Sequence, residues 1–200
     1  MTDAVADKDA LRRHFRALRQ DLLGRAQPAV EAQALRQVAG MLGDGRRLGD
    51  GRRLGVYWPL PGEINLLSLL NLLPGRLALP AITAGQKDPA ARLVYRPWRP
   101  GEPLGPDGCG IPAPVAGAGV LGARNLGLLL VPALACDACG IRLGYGGGWY
   151  DRLRADPAWA QVPAVAVLPR GCRVERLPRD PWDVPLQGWL DEDGFTWLEF

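Results

Sequence analysis

The sequence predicts an α/β protein built as a single domain over residues 1–200, with a mostly parallel central sheet flanked by helices. Five short apolar runs, each bounded by Gly or Pro, are typical of buried strands. A leucine-rich segment lies between the first two runs, and strand, helix and strand in that order indicate a parallel crossover unit. The length of 200 residues, with 48% hydrophobic and 22% charged side chains, fits one hydrophobic core.

The chain begins with a predicted helical segment. Between Asp7 and Leu23, apolar residues recur at spacings of three and four while arginines fall mostly elsewhere, which predicts an amphipathic helix with a basic side. Pro28 suits the first turn of a second helix that ends near Leu42. The apolar positions of the first helix are Leu11, Phe15, Leu18 and Leu22.

A tandem duplication follows the helical segment. The six residues DGRRLG occupy 44–49 and recur at 50–55. A repeat this short cannot form a solenoid, and its Gly and Arg content favours an extended surface loop. We therefore predict a flexible Gly/Arg loop over residues 43–55.

The apolar runs that follow predict the sheet. A helix is predicted between the first two strands, over residues 64–73, because leucines are dense there and Pro74 stops the pattern. Strands separated by a crossover helix favour a Rossmann-like arrangement. The predicted strands are residues 54–58, 76–79, 92–95, 128–131 and 164–168.

Composition excludes several classes of function. One histidine, His14, and one serine, Ser68, leave no parts for a Ser/His/Asp triad. Only Cys136 and Cys139 have C-x-x-C spacing, which favours ordinary thiols over a zinc or redox site. The longest apolar stretches reach about ten residues, short of the roughly 20 that span a bilayer. Because the N-terminus also lacks the pattern of a secretion signal, we expect a cytoplasmic protein with no membrane partner.

Charge gives little indication of a nucleic-acid partner. The net charge is +3, and all but two of the 24 basic residues are arginines. Aromatic residues are not interleaved with the arginines of the duplicated segment, as they are on surfaces that stack bases. We therefore expect no nucleic-acid partner.

The segment with the clearest chemistry runs from Arg142 to Arg152, RLGYGGGWYDR. Four glycines in five residues let successive N–H groups turn toward one point, just before a helix predicted to begin near Trp149. Arg142 and Arg152 flank the glycines with forked donors that match phosphate oxygens, and Asp151 could hold a magnesium ion. The pattern therefore favours a phosphate-binding segment, and the alternative is a tight glycine-rich turn that binds nothing.

This segment resembles the signature of the 5-formyltetrahydrofolate cyclo-ligase family. Further similarities follow the family's order and cover roughly residues 8–186. They are Lys8-x-x-Leu11-Arg12, YWPLPGE at 57–63, the arginine and tryptophan at 96–98, GIPAP at 110–114, Val131-Pro132 and Asp183-Val184-Pro185.

The resemblance implies an ATP-dependent ligase that converts 5-formyltetrahydrofolate to 5,10-methenyltetrahydrofolate, with ADP and phosphate as the other products. It implies ATP as co-substrate, Mg²⁺ as cofactor and 5-formyltetrahydrofolate as ligand, and we expect a monomer. By position, it implies catalytic roles for Arg142, Tyr145 and Tyr150, and metal binding by Asp151 and Asp183. Substrate contacts are implied for Tyr57, Glu63, Trp98, Tyr145 and Tyr150. ATP contacts are implied for Lys8, Arg12, Arg142, Leu143, Gly144, Tyr145, Gly146, Gly147, Gly148, Trp149, Tyr150 and Arg152.

Other interpretations of these residues stay open from the sequence. Lys8 and Arg12 could be solvated on a charged helix, and Glu63 could be the acidic residue of a helix's first turn. The two tyrosines, Tyr145 and Tyr150, could be core aromatics. Asp183 could cap a loop.

The chain also departs from the family pattern at several positions. Cys109 stands where an aromatic residue is usual, which would weaken stacking on the pterin. The alternative hypothesis is therefore a diverged paralogue that binds nucleotide or folate without this turnover. The other departures are Ala113, Trp149, Trp182 and Gln187.

Overall fold

The computed structural model describes residues 3–43, 48–49, 51–85 and 87–199. Its helices are α1 (Asp3–Gly43), α2 (Leu69–Leu72), α3 (Trp149–Arg154) and α4 (Pro157–Ala160). Its strands are β1 (Arg53–Gly55), β2 (Leu77–Ile82), β3 (Leu93–Trp98), β4 (Leu104–Pro106), β5 (Pro112–Pro114), β6 (Leu126–Pro132), β7 (Ala135–Asp137), β8 (Arg142–Leu143), β9 (Ala164–Val167), β10 (Arg173–Val174), β11 (Gly188–Asp191) and β12 (Gly194–Trp197).

A seven-stranded sheet forms the centre of the fold, in the order β12-β11-β9-β6-β1-β2-β3. The five inner strands are parallel, and only the edge strands β3 and β12 run antiparallel to their neighbours. The predicted α/β class and mostly parallel sheet are confirmed. The carboxyl ends of β1, β2 and β6 therefore meet at one edge, where open α/β sheets bind ligands.

Both faces of the sheet are buried, as parallel strands require. Alternate side chains of β6 point to opposite sides, so Leu129 and Val131 join one cluster while Leu128 and Leu130 join the other. Helix α1 covers part of both clusters because Phe15 packs in the first and Val30 in the second. No helix in the described part of the chain is long and apolar enough to cross a membrane.

The two predicted N-terminal helices are one. Helix α1 continues through Pro28, where the sequence predicts a new start. An interior proline costs about 3 kcal/mol. Burial offsets that cost, because the side chains of Val30 and Val38 are fully buried and each contributes roughly 1.5–3 kcal/mol.

The predicted crossover helix over 64–73 is wrong in extent, since only α2, four residues long, is helical. The reason lies at Asn65, whose backbone groups are both taken by Gln27 of α1. The Asn65 N–H donates to Gln27 Oε1 at 2.7 Å, and its carbonyl accepts from Gln27 Nε2 at 2.8 Å. These bonds hold the chain in a non-helical conformation until Leu69.

The flexible loop predicted over residues 43–55 is wrong at its carboxyl end. Residues 53–55 form β1 in the middle of the sheet, and Leu48 and Leu54 are buried. The Arg76 guanidinium donates to the carbonyls of Leu48 and Arg52. Each copy of the repeat thus has a buried leucine, which the Gly and Arg content of the repeat conceals. Residues 44–47 and 50 of this prediction lie outside the described residues.

Candidate functional site

A cavity of about 290 Å³ opens at the carboxyl edge of the parallel strands. Tyr57 and Glu63 reach it from the loop after β1, Ile82 from the end of β2, and Pro132 from the end of β6. The segment between β8 and α3 closes one wall. The cavity is lined further by Trp58, Leu60, Pro80, Leu93, Asp107, Cys109, Ile111, Arg142, Tyr145, Gly147, Gly148, Trp149 and Tyr150.

The wall between β8 and α3 is the glycine segment, residues 144–148. Its start is fixed by the Leu134 N–H, which donates to the Leu143 carbonyl at 2.9 Å. Gly146 and Gly148 have φ of 103° and 60°, which place them in the region that favours glycine. Among the hydrogen bonds of the described residues, none uses the backbone N–H groups of 144–148. The segment therefore presents unpaired donors beside the cavity.

Two of these glycines approach neighbouring side chains closely. A Cβ on Gly147 would lie 2.7 Å from the Trp149 indole, and one on Gly144 would lie 2.4 Å from Arg142 Nη1. Larger residues at either position would push these side chains away.

Arginines surround the glycine segment. Arg142 donates to the Pro132 carbonyl at 3.3 Å and to Asp151 at 3.4 Å, and its guanidinium lies over the Tyr150 ring. Arg152 packs over the Trp149 ring with its guanidinium carbon 4.4 Å from the ring centroid. The Arg142 hydrogen bonds are long and therefore weak, so this guanidinium remains able to donate shorter hydrogen bonds to an anion.

Helix α1 adds Arg12 to the same place. Arg12 Nε donates to the Gly144 carbonyl at 3.1 Å, and a second nitrogen pairs with Asp9. A Cβ on Gly146 would lie 3.6 Å from the Arg12 guanidinium carbon. Arg12 is therefore not merely solvated, because it holds the helix against the glycine segment.

Lys8 is used differently. Its ammonium donates to Asp180 at 2.7 Å and to Asp183 at 2.5 Å, and the side chain is buried. Burial lowers the pKa of Lys8, but the two carboxylates more than compensate, so the pKa is raised overall. Asp183 also accepts the Asp180 N–H at 2.7 Å, which is the loop-capping role left open by the sequence.

The opposite wall of the cavity carries a buried carboxyl. Glu63 Oε2 accepts the Leu60 N–H at 2.8 Å, whereas buried Oε1 has no hydrogen-bond partner among the described residues. Burial raises the pKa of Glu63, opposed by the Leu60 N–H, Tyr145 and Arg19. Tyr57 contributes its ring only, since its hydroxyl donates to the Ile64 carbonyl at 2.6 Å.

Two tyrosines join the walls. Tyr150 is buried beneath Arg142, and burial raises the pKa of its phenol. Tyr145 lines the cavity while its hydroxyl accepts a hydrogen bond from Arg19 Nη2. Burial, with Glu63 beside it, raises the pKa of Tyr145. Both tyrosines pack against the core and also face the cavity, so the two interpretations of them are compatible.

Arg19 was not singled out by the sequence, although a signal was present. Lys8, Arg12 and Arg19 are separated by four and seven residues and so share one face of a helix. Phe15, between Arg12 and Arg19, is buried on that face. A basic residue on the same helix face as a buried apolar residue indicates that its charged side chain is directed toward the interior. Trp58 and Asp107 also line the cavity without having been predicted.

The structure does not bring Trp98 to this cavity. Because β3 is antiparallel to β2, Leu93 pairs with Ile82 at the cavity edge and Trp98 pairs with Leu77 at the other end. The Trp98 indole N–H donates to the Glu102 carbonyl at 3.2 Å, and its ring packs edge-on against Trp58. A direct substrate contact by Trp98 is therefore not supported.

The chemistry of the carboxylates bears on a metal. Magnesium takes oxygen ligands and is commonly held by one or two carboxylates together with substrate phosphates. Asp151 fits this use because it is partly exposed and, in the described part of the chain, its carboxylate makes only the long contact to Arg142. Asp183 shares its oxygen with Lys8, so a metal would compete with that ammonium. Within the described residues, no three His, Cys, Asp or Glu side chains form a ready metal cluster.

The departures from the family pattern fall at different depths. Cys109 is an exposed thiol at the cavity, while Ala113 is buried in β5. Gln187 accepts hydrogen bonds from the buried Arg154 at 3.2 Å and from the Ala164 N–H at 2.9 Å. Trp182 is 63% exposed. Of the five departures, Cys109 and Trp149 line the cavity.

The chain is similar to several known proteins. The chain is 36% identical over 161 residues to a 5-formyltetrahydrofolate cyclo-ligase from Mycolicibacterium smegmatis, covering 78% of this chain and 79% of that protein. It is 33% identical over 137 residues to the Haemophilus influenzae protein of the same name, covering 66% and 71%. The NMR structure of Aquifex aeolicus 5,10-methenyltetrahydrofolate synthetase has the same fold, with a TM-score of 0.72 and 24% identity over 96% of this chain and 93% of that one. The model of the 5-formyltetrahydrofolate cyclo-ligase family matches residues 4–190, and the chain belongs to that family of ligases.

Proposed function

We propose that the protein converts 5-formyltetrahydrofolate and ATP to 5,10-methenyltetrahydrofolate, ADP and phosphate. One observation carries the proposal: a single cavity has unpaired backbone donors and Arg142 on one wall, and the unpartnered oxygen of Glu63 on the other. The first wall suits a polyanion, and the second suits a ligand with N–H donors.

The chemistry needs both ligands together. The formyl oxygen attacks the γ-phosphorus of ATP, and the bond from that phosphorus to the ADP oxygen breaks. N10 then adds to the activated formyl carbon and loses its proton. The carbon–oxygen bond breaks, and phosphate leaves with the former formyl oxygen. No enzyme nucleophile is required, so the protein contributes positioning and charge stabilisation.

The nucleotide is assigned to the wall formed by the glycine segment. The amides of 144–148 point toward the triphosphate, with Leu143 and Trp149 at the two ends of the segment. Arg142 exchanges its long contacts for phosphate oxygens, and Arg12 and Arg152 add positive charge at the rim. Lys8 reaches a phosphate only by leaving Asp180 or Asp183, so its direct contact stays a prediction.

The folate is assigned to the opposite wall. Glu63 Oε1 is an acceptor for the N–H donors of the pterin, and the Tyr57 ring provides an apolar surface beside it. Tyr145 of the glycine segment and Tyr150 of α3 both line the cavity, and we assign them to the reacting formyl group. Because Cys109 stands where an aromatic residue is usual, the ligand has no aromatic stacking partner at that position.

Magnesium is assigned to Asp151, with Asp183 as a second ligand if Lys8 moves. When bound with ATP, the ion neutralises charge on the transferring phosphoryl group. The contact with Arg142 holds the Asp151 carboxylate beside the glycine segment until Arg142 turns to the phosphates.

The test is an absorbance assay for the methenyl product. Purified protein with 5-formyltetrahydrofolate and MgATP should form the methenyl chromophore, together with one ADP for each product molecule. Folded protein that forms no chromophore would contradict the proposal. If calorimetry then detected nucleotide or folate binding, the diverged non-catalytic paralogue would be favoured instead.

A further inference from the structure

Arg19 occupies an unusual place for a charged side chain. It lies on α1 with 4% of its surface exposed, yet no carboxylate pairs with it among the described residues. Its polar contacts are the Ala133 carbonyl, at 3.4 Å from Nη1, and the Tyr145 hydroxyl, bound by Nη2. Burying a guanidinium without a carboxylate partner costs free energy of folding. The contacts that Arg19 makes therefore indicate its role.

The guanidinium lies behind the cavity rather than in it. Arg19 does not line the cavity, whereas its partner Tyr145 does. A Cβ on Gly62 would lie 3.4 Å from Arg19 Nη2, so the guanidinium also packs against the loop that carries Glu63. Arg19 therefore contacts both elements that place polar groups in the folate side of the cavity.

The direction of this hydrogen bond determines what Tyr145 can do. Arginine has no acceptor, so the Tyr145 oxygen must accept from Arg19 and its own O–H must point elsewhere. The hydroxyl can then donate to Glu63, with which it interacts, or into the cavity that Tyr145 lines. A phenol held in this way offers its proton in one direction.

Resting on the function proposed above, we propose that Arg19 is a positioning residue that fixes the Tyr145 hydroxyl as a donor into the folate side of the cavity. Its positive charge also favours the carboxylate form of Glu63, which is needed to accept from the pterin. Arg19 acts through these two side chains and does not touch the ligand.

Arg16 provides a matched control. Its guanidinium carbon lies 5.5 Å from the Tyr145 ring centroid, against 5.4 Å for Arg19. Arg16 is exposed, and its described contact is to the ring rather than to the hydroxyl. The two arginines thus differ in the hydrogen bond and in burial while sharing the ring contact.

The experiment is a double-mutant cycle with Arg19→Met, Tyr145→Phe and the double variant, together with Arg19→Lys and Arg16→Met. We expect Arg19→Met to weaken folate binding and lower kcat by roughly tenfold or more, because a charged hydrogen bond is lost. The KM for ATP should change less than about twofold, within ordinary variation. Adding Arg19→Met to Tyr145→Phe should have little further effect. Arg19→Lys should recover part of the loss, and Arg16→Met should behave as wild type.

Several results would overturn the proposal. Equal effects of Arg19→Met in the wild-type and Tyr145→Phe backgrounds would mean that Arg19 does not act through that hydroxyl. If Arg16→Met lost as much folate affinity and kcat as Arg19→Met, the contact with the Tyr145 ring alone would explain the effect of Arg19. Unfolding temperatures measured on the same proteins identify a merely structural role, in which Lys gives no recovery and the KM values of both substrates change together.

Calorimetric binding of 5-formyltetrahydrofolate without ATP separates this proposal from the proposed reaction. If the wild-type protein showed no turnover, the proposed reaction would be wrong. A folate affinity that is lowered by Arg19→Met and unaffected by Arg16→Met would still support the positioning role. If the wild-type protein were active and Arg19→Met had the same folate affinity and kcat, only the positioning role would be contradicted.

Discussion

The glycine segment and the DGRRLG repeat are both rich in Gly and Arg, yet their backbones are used in opposite ways. In the repeat, the Arg52 N–H donates to the Gly49 carbonyl at 3.1 Å, and the Leu54 N–H donates to the Arg76 carbonyl at 2.9 Å. In the glycine segment, no described hydrogen bond uses the amides of 144–148. One segment satisfies its backbone within the fold, and the other leaves donors beside a cavity.

Because two segments of similar composition use their backbones differently, composition alone does not identify a phosphate site. Glycine permits close approach in both places, but a site also needs donors without partners and charges that converge on them. Arg142 and Arg12 supply that convergence because β8 and α1 bring them to the same loop. Arg53 of the repeat instead donates to the Gly75 carbonyl.

The largest expected effect comes from crowding the glycine segment. Gly147→Val places its Cβ against the Trp149 indole and should lower ATP-dependent product formation by at least about a hundredfold, which corresponds to some 2.7 kcal/mol. Initial rates from the chromophore assay measure this. Gly51→Ala is the matched control, because a Cβ there meets nothing within 4 Å. Its φ of 75° should cost about 1 kcal/mol of stability with little loss of rate. Equal rate losses would mean that the two segments do not differ as proposed.

The next effect is on the charge at the same wall. Arg142→Ala should raise the KM for ATP by roughly 10- to 100-fold, because a charge-assisted hydrogen bond is worth about 1.5–3 kcal/mol. Steady-state kinetics with varied ATP measure it. Arg53→Ala removes an arginine of the repeat that binds the Gly75 carbonyl, and it should affect unfolding temperature rather than the KM. An unchanged KM in Arg142→Ala would exclude its role at the phosphates.

A smaller effect is expected at the buried carboxyl. Glu63→Gln should weaken folate binding about tenfold, because Oε1 then loses its charge as an acceptor. Glu102→Gln is the control, since Glu102 accepts the Arg99 N–H at 2.8 Å as Glu63 accepts that of Leu60, but is exposed. Calorimetry that finds equal affinities for the two variants would contradict the assignment.

The pH dependence of Glu63 follows from its surroundings. Burial raises its pKa above the ordinary 4.5, against the opposing effects of the Leu60 N–H, Tyr145, Arg19 and Arg142. Folate affinity should therefore fall as pH is lowered through that raised pKa. The protonated carboxyl favours the folded state below 4.5, and this stabilisation is lost as pH rises through the folded-state pKa. Glu63→Gln should remove both dependences, as measured by calorimetry and by unfolding over the same pH range.

The smallest effect on catalysis is expected at Lys8. Lys8→Met breaks the contacts to Asp180 and Asp183 and should lower the free energy of unfolding by about 2 kcal/mol. Because the pKa of Lys8 is raised above 10.5, its stabilisation is present below that pH and lost as pH rises through the folded-state pKa. Denaturant unfolding of both proteins should converge at high pH. If Lys8→Met instead raised the KM for ATP as much as Arg142→Ala, Lys8 would contact the nucleotide directly.

Much of the fold could be predicted because its strands are buried on both faces. Apolar runs such as 128–131 and 164–168 are strong signals, and both coincide with strands of the sheet. Strand β11 and the edge strand β12 carry mixed polarity and were not predicted. Pro28 and Asn65 misled local rules because packing of α1 and side-chain hydrogen bonds outweighed propensity.

The site was predictable where one segment carries it and not where distant segments meet. The glycine segment is contiguous, so its donors could be proposed from the chain alone. Arg19 meets Tyr145 across 126 residues, and Trp98 is separated from the cavity by the direction of β3. Neither fact is encoded in local spacing.

The other predictions depend on the proposal that the amides of 144–148 bind the triphosphate of ATP. NMR of protein labelled with ¹⁵N at glycine, titrated with a non-hydrolysable MgATP analogue, tests it directly. The signals of Gly144, Gly146, Gly147 and Gly148 should shift, while those of Gly51 and Gly55 stay in place. Saturating analogue that leaves the four signals unmoved, or that shifts the repeat glycines instead, would contradict it.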